Sequence, residues 1–296
     1  MCGGYYKDSS IEKLTRACNS YDQETRVWQP IKSLSNERSS LALIEYDNRL
    51  WAIGGKNLSG SLDTVETYNI VTRLWSKQSP LNIARYSFGT AVIDNILYVC
   101  DGNNYQPNQN DPILSSCEYY SMETGEWHLG WTMTMARTDF ALVAHNDYLY
   151  AIGCYFGNFD KGYIQSMERY NTRTKQWQPM ANMPTKRNAF GAWSFMDKIY
   201  VCGGYDENNS NSYRASSSAM SSCETYDSRA NNWTTIASMN TKRYDFQLVA
   251  IDNVLYALGG QSTNGTVEQY DYTTNLWSYT TPTLPFNSYG FGATTF

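Results

Sequence analysis

The chain has 296 residues, 23 of them Lys or Arg and 28 Asp or Glu, for a formal net charge of −5. That length suits one large domain or two small ones. Charged residues make up 17% and aromatics 15%, with 25 Tyr and 9 Trp, a composition that favours strands and turns over helices and excludes a disordered chain or a coiled coil.

The acidic balance argues against a nucleic-acid partner, and no apolar run approaches the roughly 18 residues of a transmembrane helix. The opening residues, Met1-Cys2-Gly3-Gly4-Tyr5, form no secretory signal. Cys2 stands where N-myristoylation needs Gly, and the closing Ala293-Thr294-Thr295-Phe296 has no Cys for prenylation. The chain therefore reads as soluble, unanchored and cytoplasmic.

From Tyr21 onward one unit recurs. Tyr21, Tyr68, Tyr120, Tyr170, Tyr226 and Tyr270 are each followed seven residues later by Trp28, Trp75, Trp127, Trp177, Trp233 and Trp277. Ten residues after the first five tryptophans stand Arg38, Arg85, Arg137, Arg187 and Arg243. Trp51, Tyr98, Tyr150, Tyr200 and Tyr256 follow thirteen residues later, and three more lead to Gly54-Gly55, Asp101-Gly102, Gly153-Cys154, Gly203-Gly204 and Gly259-Gly260. Only the stretch from the glycine pair to the next Tyr varies in length.

Inside each unit, short apolar segments such as Phe88–Ile93 and Ile96–Cys100 have strand length. Asp47-Asn48, Asp94-Asn95, Asn146-Asp147 and Asp252-Asn253 fall between such segments, and pairs of this kind tolerate the positive φ of a tight hairpin. A second turn separates each Tyr from its Trp. Four short strands per unit follow.

A unit of about 50 residues with a diglycine, a Tyr and a Trp resembles the kelch repeat of β-propellers. The resemblance covers the whole chain and implies an all-β fold: one six-bladed propeller domain over residues 1–296, with four antiparallel strands per blade. Cys2-Gly3-Gly4 matches Cys202-Gly203-Gly204, and the tail Phe291–Phe296 resembles the first strand Phe190–Phe195. The expected closure joins a C-terminal inner strand to the N-terminal blade. A start within a strand further suggests a longer natural N-terminus.

Cys2, Cys100 and Cys202 fall where other units carry Ile53, Ile152 and Leu258. Cys18, Cys117 and Cys223 fall where they carry Val65, Met167 and Val267. With an odd total of seven and no CxxC pair, they read as small buried hydrophobes of a reducing compartment. Cys154 replaces a glycine. No disulfide, metal or cofactor is expected. Neither His128 nor His145 belongs to a ligand cluster, and no nucleophile motif occurs, so an enzyme is not expected. Glu66, Glu118, Glu168, Glu224 and Glu268, each two residues before the repeated Tyr, are read as hydrogen-bonding within or between blades. The sequons at Asn57, Asn208, Asn232 and Asn264 are read as chance products of an Asn-rich chain.

The arginines stand in loops entering each first strand and should ring one channel mouth. Most are read as hydrogen-bonding loop carbonyls, and the alternative is capture of a carboxylate or phosphate on a partner. The residue after each Arg varies: Ser39, Tyr86, Thr138, Asn188 and Tyr244. Loops opening at Lys56, Asn103, Tyr155 and Tyr205 should reach the same face, and two of them, Asn103–Ser116 and Tyr205–Ser222, are long. Loop-borne Tyr, Asn, Ser and Arg make the composition of a binding surface. The expected partner site is therefore Arg38, Ser39, Arg85, Tyr86, Arg137, Arg187, Asn188, Arg243, Tyr244, Tyr155, Tyr205 and Asn103.

The repeats are similar to the substrate-binding domain of BTB–Kelch adaptors of cullin-RING ubiquitin ligases. That resemblance implies a non-catalytic module that binds a protein or peptide, acidic ones included, and reaches the cullin scaffold only through BTB and BACK domains outside this sequence. Actin binding, found among other kelch proteins, is the alternative.

Overall fold

A computed structural model describes every residue except 9–10, 108–110, 156–162, 206–218, 262 and 296. It contains two compact units: Met1–Thr138 with Gly290–Phe296, and Asp139–Tyr289. The described residues include no helix.

In the first unit, one antiparallel sheet takes Ala42–Tyr46, Arg49–Ile53, Val65–Asn69 and Leu74–Gln78 in chain order. A second repeats the plan with Gly89–Ile93, Ile96–Cys100, Ser116–Ser121 and Glu126–Thr132. A third series follows the same order in reduced form. Gly292 bridges Cys2, Cys2 bridges Cys18, and Cys18–Asp22 pairs with Val27–Ile31. The tail thus returns to the head of the chain, with Cys2 N–H donating to Gly292 O at 2.9 Å and Gly292 N–H to Cys2 O at 3.0 Å.

The second unit holds three such meanders. The first is Ala141–His145, Tyr148–Tyr155, Tyr163–Asn171 and Gln176–Met180. The second is Gly191–Phe195, Lys198–Cys202, Cys223–Asp227 and Asn232–Ile236, and the third is Gln247–Ile251, Val254–Leu258, Val267–Asp271 and Leu276–Thr280.

The hairpins between first and second strands form as the residue types require. Asp47 and Asn48 have φ of 51° and 54°, and Asp94 and Asn95 have 51° and 57°, the left-handed pair of a type I′ turn. The fifth repeat makes the same turn with Met196 and Asp197, at 46° and 60°. That Met carries no turn signal, so the meander imposes the conformation there.

Each repeated Trp stacks on its Tyr, and four of the six reach the preceding sheet of their own unit. Tyr68 and Trp75 have ring centroids 5.2 Å apart, and Tyr270 and Trp277 5.1 Å. The indole N–H of Trp75 donates to Lys32 O at 2.7 Å, that of Trp127 to Ser79 O at 3.1 Å, that of Trp233 to Ala181 O at 2.9 Å, and that of Trp277 to Ala237 O at 3.1 Å. In these four repeats a large apolar ring with one polar handle joins the repeat to the one before it.

The cysteine reading needs correction. Cys2–Cys18, Cys100–Cys117 and Cys202–Cys223 are disulfides, and Cys154 is buried and belongs to none of them. The reason is register: each pair lies directly opposite across the second and third strands, so two buried side chains meet sulfur to sulfur. The inference of a reducing compartment from cysteine usage lapses with it. Where Cys154 replaces glycine, the strand does not break. It runs on to Tyr155 with a register shift between Ile152 and Cys154, and pairs with Tyr163.

Candidate functional site: the loops after the arginines and the glycine pairs

The two sets of variable loops meet, as their position in the repeat predicted. Ser39 bridges Lys56, Tyr86 bridges Asn103, and Asn188 bridges Tyr205. In the last repeat Gln261 N–H donates to Tyr244 O at 3.1 Å. Glycine permits this approach. At Gly204 the φ is +89° and a Cβ would stand 2.5 Å from Asn188 O, and at Gly102 the values are +83° and 2.5 Å from Tyr86 O. No side chain fits there.

Two residues after each Arg the backbone is left-handed: Ser40, Ser87, Asp139, Ala189 and Asp245 have φ of 50° to 52°. These residues link head to tail. In the first unit Ser87 N–H donates to Ser40 O at 3.1 Å, and in the second Asp245 N–H donates to Ala189 O at 3.0 Å and Ala189 N–H to Asp139 O at 3.1 Å.

The arginines are not available to a partner, and the guanidinium-capture alternative is corrected here. Arg38, Arg85, Arg187 and Arg243 are 0% exposed and Arg137 is 2% exposed. Arg85 Nη1 donates to Asp101 O and Ser116 O, both at 2.9 Å, and Nη2 meets Glu118 Oε1 at 2.7 Å. Arg243 does the same with Gly259 O at 2.7 Å, Thr266 O at 2.8 Å and Glu268 Oε1 at 2.9 Å. Arg38 pairs with Glu66 at 2.7 Å and Arg187 with Glu224 at 3.3 Å. A guanidinium this deep needs internal partners, and the repeat's own carbonyls and glutamate supply them. Burial pushes the Arg38, Arg85 and Arg243 pKa values down, and the paired glutamates oppose the shift.

The glutamates hold loops as well as arginines. Glu118 accepts from the N–H of Asn82 at 2.7 Å, Asn82 Nδ2 at 2.9 Å and the N–H of Ile83 at 3.1 Å. Glu268 accepts from Asn240 and Thr241 in the same way. In the repeat of Glu224 the matching residue is Pro184, which has no N–H, and among the described residues Glu224 Oε2 has no partner. The structural reading of these acids holds.

Several expected contact residues are also buried. Ser39, Tyr86, Asn188, Tyr205 and Tyr244 are covered, and Asn103 is half-buried. Tyr205 and Tyr244 stack with centroids 4.0 Å apart. Tyr86 lies under Lys56 Nζ, 4.1 Å from the ring centroid, while its hydroxyl donates to Asp111. Large flat rings pack better between loops than at their tips. Tyr155 ends a strand. Most of the Tyr205–Ser222 loop and the sequon at Asn208 lie outside the described residues.

The loops expose two residues outside the expected contact set, Leu58 and Tyr105. Lys56–Asn57 and Gly60–Ser61 form a small hairpin whose tip residue, Leu58, is 85% exposed. The next loop is tied to it: Ser61 N–H donates to Tyr105 O at 2.8 Å, and Tyr105 N–H donates to Ser61 Oγ at 2.7 Å. Tyr105 is 37% exposed. The signal available was position, since Leu58 and Tyr105 each sit three places beyond the last glycine of their repeat's turn, Gly55 and Gly102.

His145 is buried, 2.9 Å from Ser194 Oγ through Nδ1 and 3.2 Å from Ser228 Oγ through Nε2. Burial holds its pKa below the ordinary value, against the pull of Asp197 and Asp227.

Repeated four-stranded meanders, a buried Arg–Glu frame and variable loops on a fixed scaffold define a propeller-type repeat protein. The chain belongs to the Attractin/LZTR1 β-propeller family, whose model matches residues 50–289. It is similar to Kelch-like protein 36 of Rattus norvegicus, 26% identical over 151 residues, or 51% of this chain and 24% of that protein. It is similar to alpha-scruin of Limulus polyphemus, 29% identical over 150 residues, or 48% of this chain and 16% of that protein. The matches thus span about a quarter or less of those relatives' length. Among solved structures, YjhT superposes with a TM-score of 0.76 over 94% of this chain and 96% of that one, at 14% identity. The Kelch-repeat propeller, similar to the substrate-binding domains of BTB–Kelch proteins, is therefore the architecture of this chain.

Proposed function

We propose that the chain is a six-bladed, non-catalytic recognition propeller, closed by the strand at Gly292, that holds a short segment of a partner protein on its loop face. The observation that carries this reading is the contrast between frame and tips. The arginines, glutamates and most loop tyrosines are occupied internally, while Leu58 and Tyr105 stand exposed on two loops tied together at Ser61. Loops on a rigid scaffold are where binding residues concentrate. With the rim arginines occupied, an acidic partner loses its support, and a partner offering apolar or aromatic contact fits better.

The Kelch-like relatives favour a narrower version: substrate recognition for a cullin-RING ubiquitin ligase, with BTB and BACK domains supplying the scaffold contact. Actin binding is the alternative. The test is affinity capture from lysate, with mass spectrometry, comparing the chain with the Leu58→Asp/Tyr105→Ala variant. Loss of a captured protein at unchanged urea midpoint supports the reading, and undiminished capture refutes the site. Co-sedimentation with filamentous actin separates the two narrower versions.

A further inference from the structure

The six repeats share one cross-strand position, and they fill it in only two ways. Three use disulfides, Cys2–Cys18, Cys100–Cys117 and Cys202–Cys223. Three use aliphatic pairs in the same register: Ile53 opposite Val65, Ile152 opposite Met167, and Leu258 opposite Val267. At this position no repeat carries a cysteine on one strand alone. Small hydrophobes chosen strand by strand would mix the two classes, so the residues were set as pairs.

The choice follows the length of the connection that the pair closes. The cysteines are 16, 17 and 21 residues apart. Val65 follows Ile53 by 12 positions, Met167 follows Ile152 by 15, and Val267 follows Leu258 by 9. The three longest connections carry sulfur and the three shortest carry hydrocarbon. Loop closure costs more entropy as a loop lengthens, and a crosslink removes that cost from the unfolded chain.

We propose that the three cysteine pairs are oxidative staples at the roots of the longest loops, closed during folding and sealed afterwards. Each closes by thiol–disulfide exchange with a small disulfide such as oxidised glutathione. One cysteine thiolate attacks that S–S bond and releases one small thiol, and the second cysteine then displaces the other. The protein pair loses two electrons and two protons, and the small disulfide becomes two thiols. All six sulfurs sit on residues no more than 1% exposed, so reagents reach them only when the sheet opens. The staple holds the root of the loop: beside Cys100 and Cys117, Asp101 N–H donates to Ser116 O at 3.0 Å and Leu114 N–H to Gly102 O at 2.8 Å. This role does not depend on which partner the loops bind.

The test refolds the chain in a glutathione redox buffer, alkylates it in denaturant and maps the products by mass. The expected product carries the three named bridges, with Cys154 alone alkylated. A dithiol reductant should open them in urea far faster than in native buffer, and full reduction should raise the unfolding constant about a hundredfold per bridge. The Cys100→Ile/Cys117→Val variant, which borrows the second repeat's pair, keeps the fold testable without the bond. In it the amides of Asp101 and Leu114 should exchange faster than in the wild type, while those of Gly54 and Leu62, at the root of an aliphatic repeat, should not change. Seven alkylated thiols after refolding, equal reduction rates in both conditions, or unaltered exchange at Asp101 and Leu114 would each overturn the proposal.

Discussion

Replacing Glu118 tests whether the Arg–Glu frame, rather than loop sequence, holds the repeats together. Its carboxylate receives four donors: Arg85 Nη2 at 2.7 Å, the N–H and Nδ2 of Asn82, and the N–H of Ile83. Both partners of the ion pair have side chains at 0% exposure. Glu118→Ala removes the carboxylate paired with the guanidinium, while Arg85 keeps its carbonyl partners Asp101 and Ser116. Breaking a buried pair from one side costs about 3–5 kcal/mol, because a charge is left uncompensated. Glu118→Gln keeps the shape but turns one acceptor into a donor facing the Asn82 N–H, so it should lie between wild type and Ala. Urea unfolding followed by tryptophan fluorescence reads the shift, and added salt should not reduce it, since the pair is shielded from ions. The control is Asp147→Asn, which breaks the 4.0 Å pair with Arg173, where both side chains are at least 74% exposed; no measurable change is expected there. A cost below about 1 kcal/mol for Glu118→Ala, or one equal to the control, would refute the reasoning.

Trp277→Ala should cost about 3–5 kcal/mol by emptying the space between two sheets, whereas Trp277→Phe should lose little more than the bond to Ala237 O, about 1 kcal/mol; both are read from urea midpoints. Pro184→Asn should stabilise by about 1 kcal/mol, because an N–H and an amide reach the unpartnered Glu224 Oε2, offsetting the lost rigidity of proline; a lower midpoint would contradict it. His145 has a folded-state pKa below its unfolded value, so its contribution is present above the unfolded pKa and is lost as pH falls through the folded one. Stability should therefore drop on acidification below about pH 6.5, and His145→Gln should flatten that part of the profile measured by thermal unfolding.

The frame was legible in the sequence because it repeats. Tyr–Trp spacing, paired Asp/Asn turns and glycine pairs each reflect a backbone need that recurs in every unit, and the sheets form where they indicate. Whether Arg85 faces a ligand or a carbonyl was not legible, since a guanidinium serves either purpose and only its depth decides. Burial of Tyr86 and Tyr244 depends on the loop above them, whose length and course vary. The disulfides were within reach: reading the cysteine columns together, rather than strand by strand, shows that each cysteine has its mate opposite. The exposed tips at Leu58 and Tyr105 carry no repeated signal, as residues free of the frame would not.

The arrangement of the left-handed residues Ser40 and Ser87, and of Asp139, Ala189 and Asp245, has an evolutionary consequence. Each link uses only main-chain atoms of the next unit, and each guanidinium answers to carbonyls of its own. A lineage could exchange exposed residues beyond a glycine pair, such as Leu58, and with them its molecular target, while every one of these main-chain links stayed in place. Diversification would then proceed tip by tip, as a socket set changes heads on a common handle.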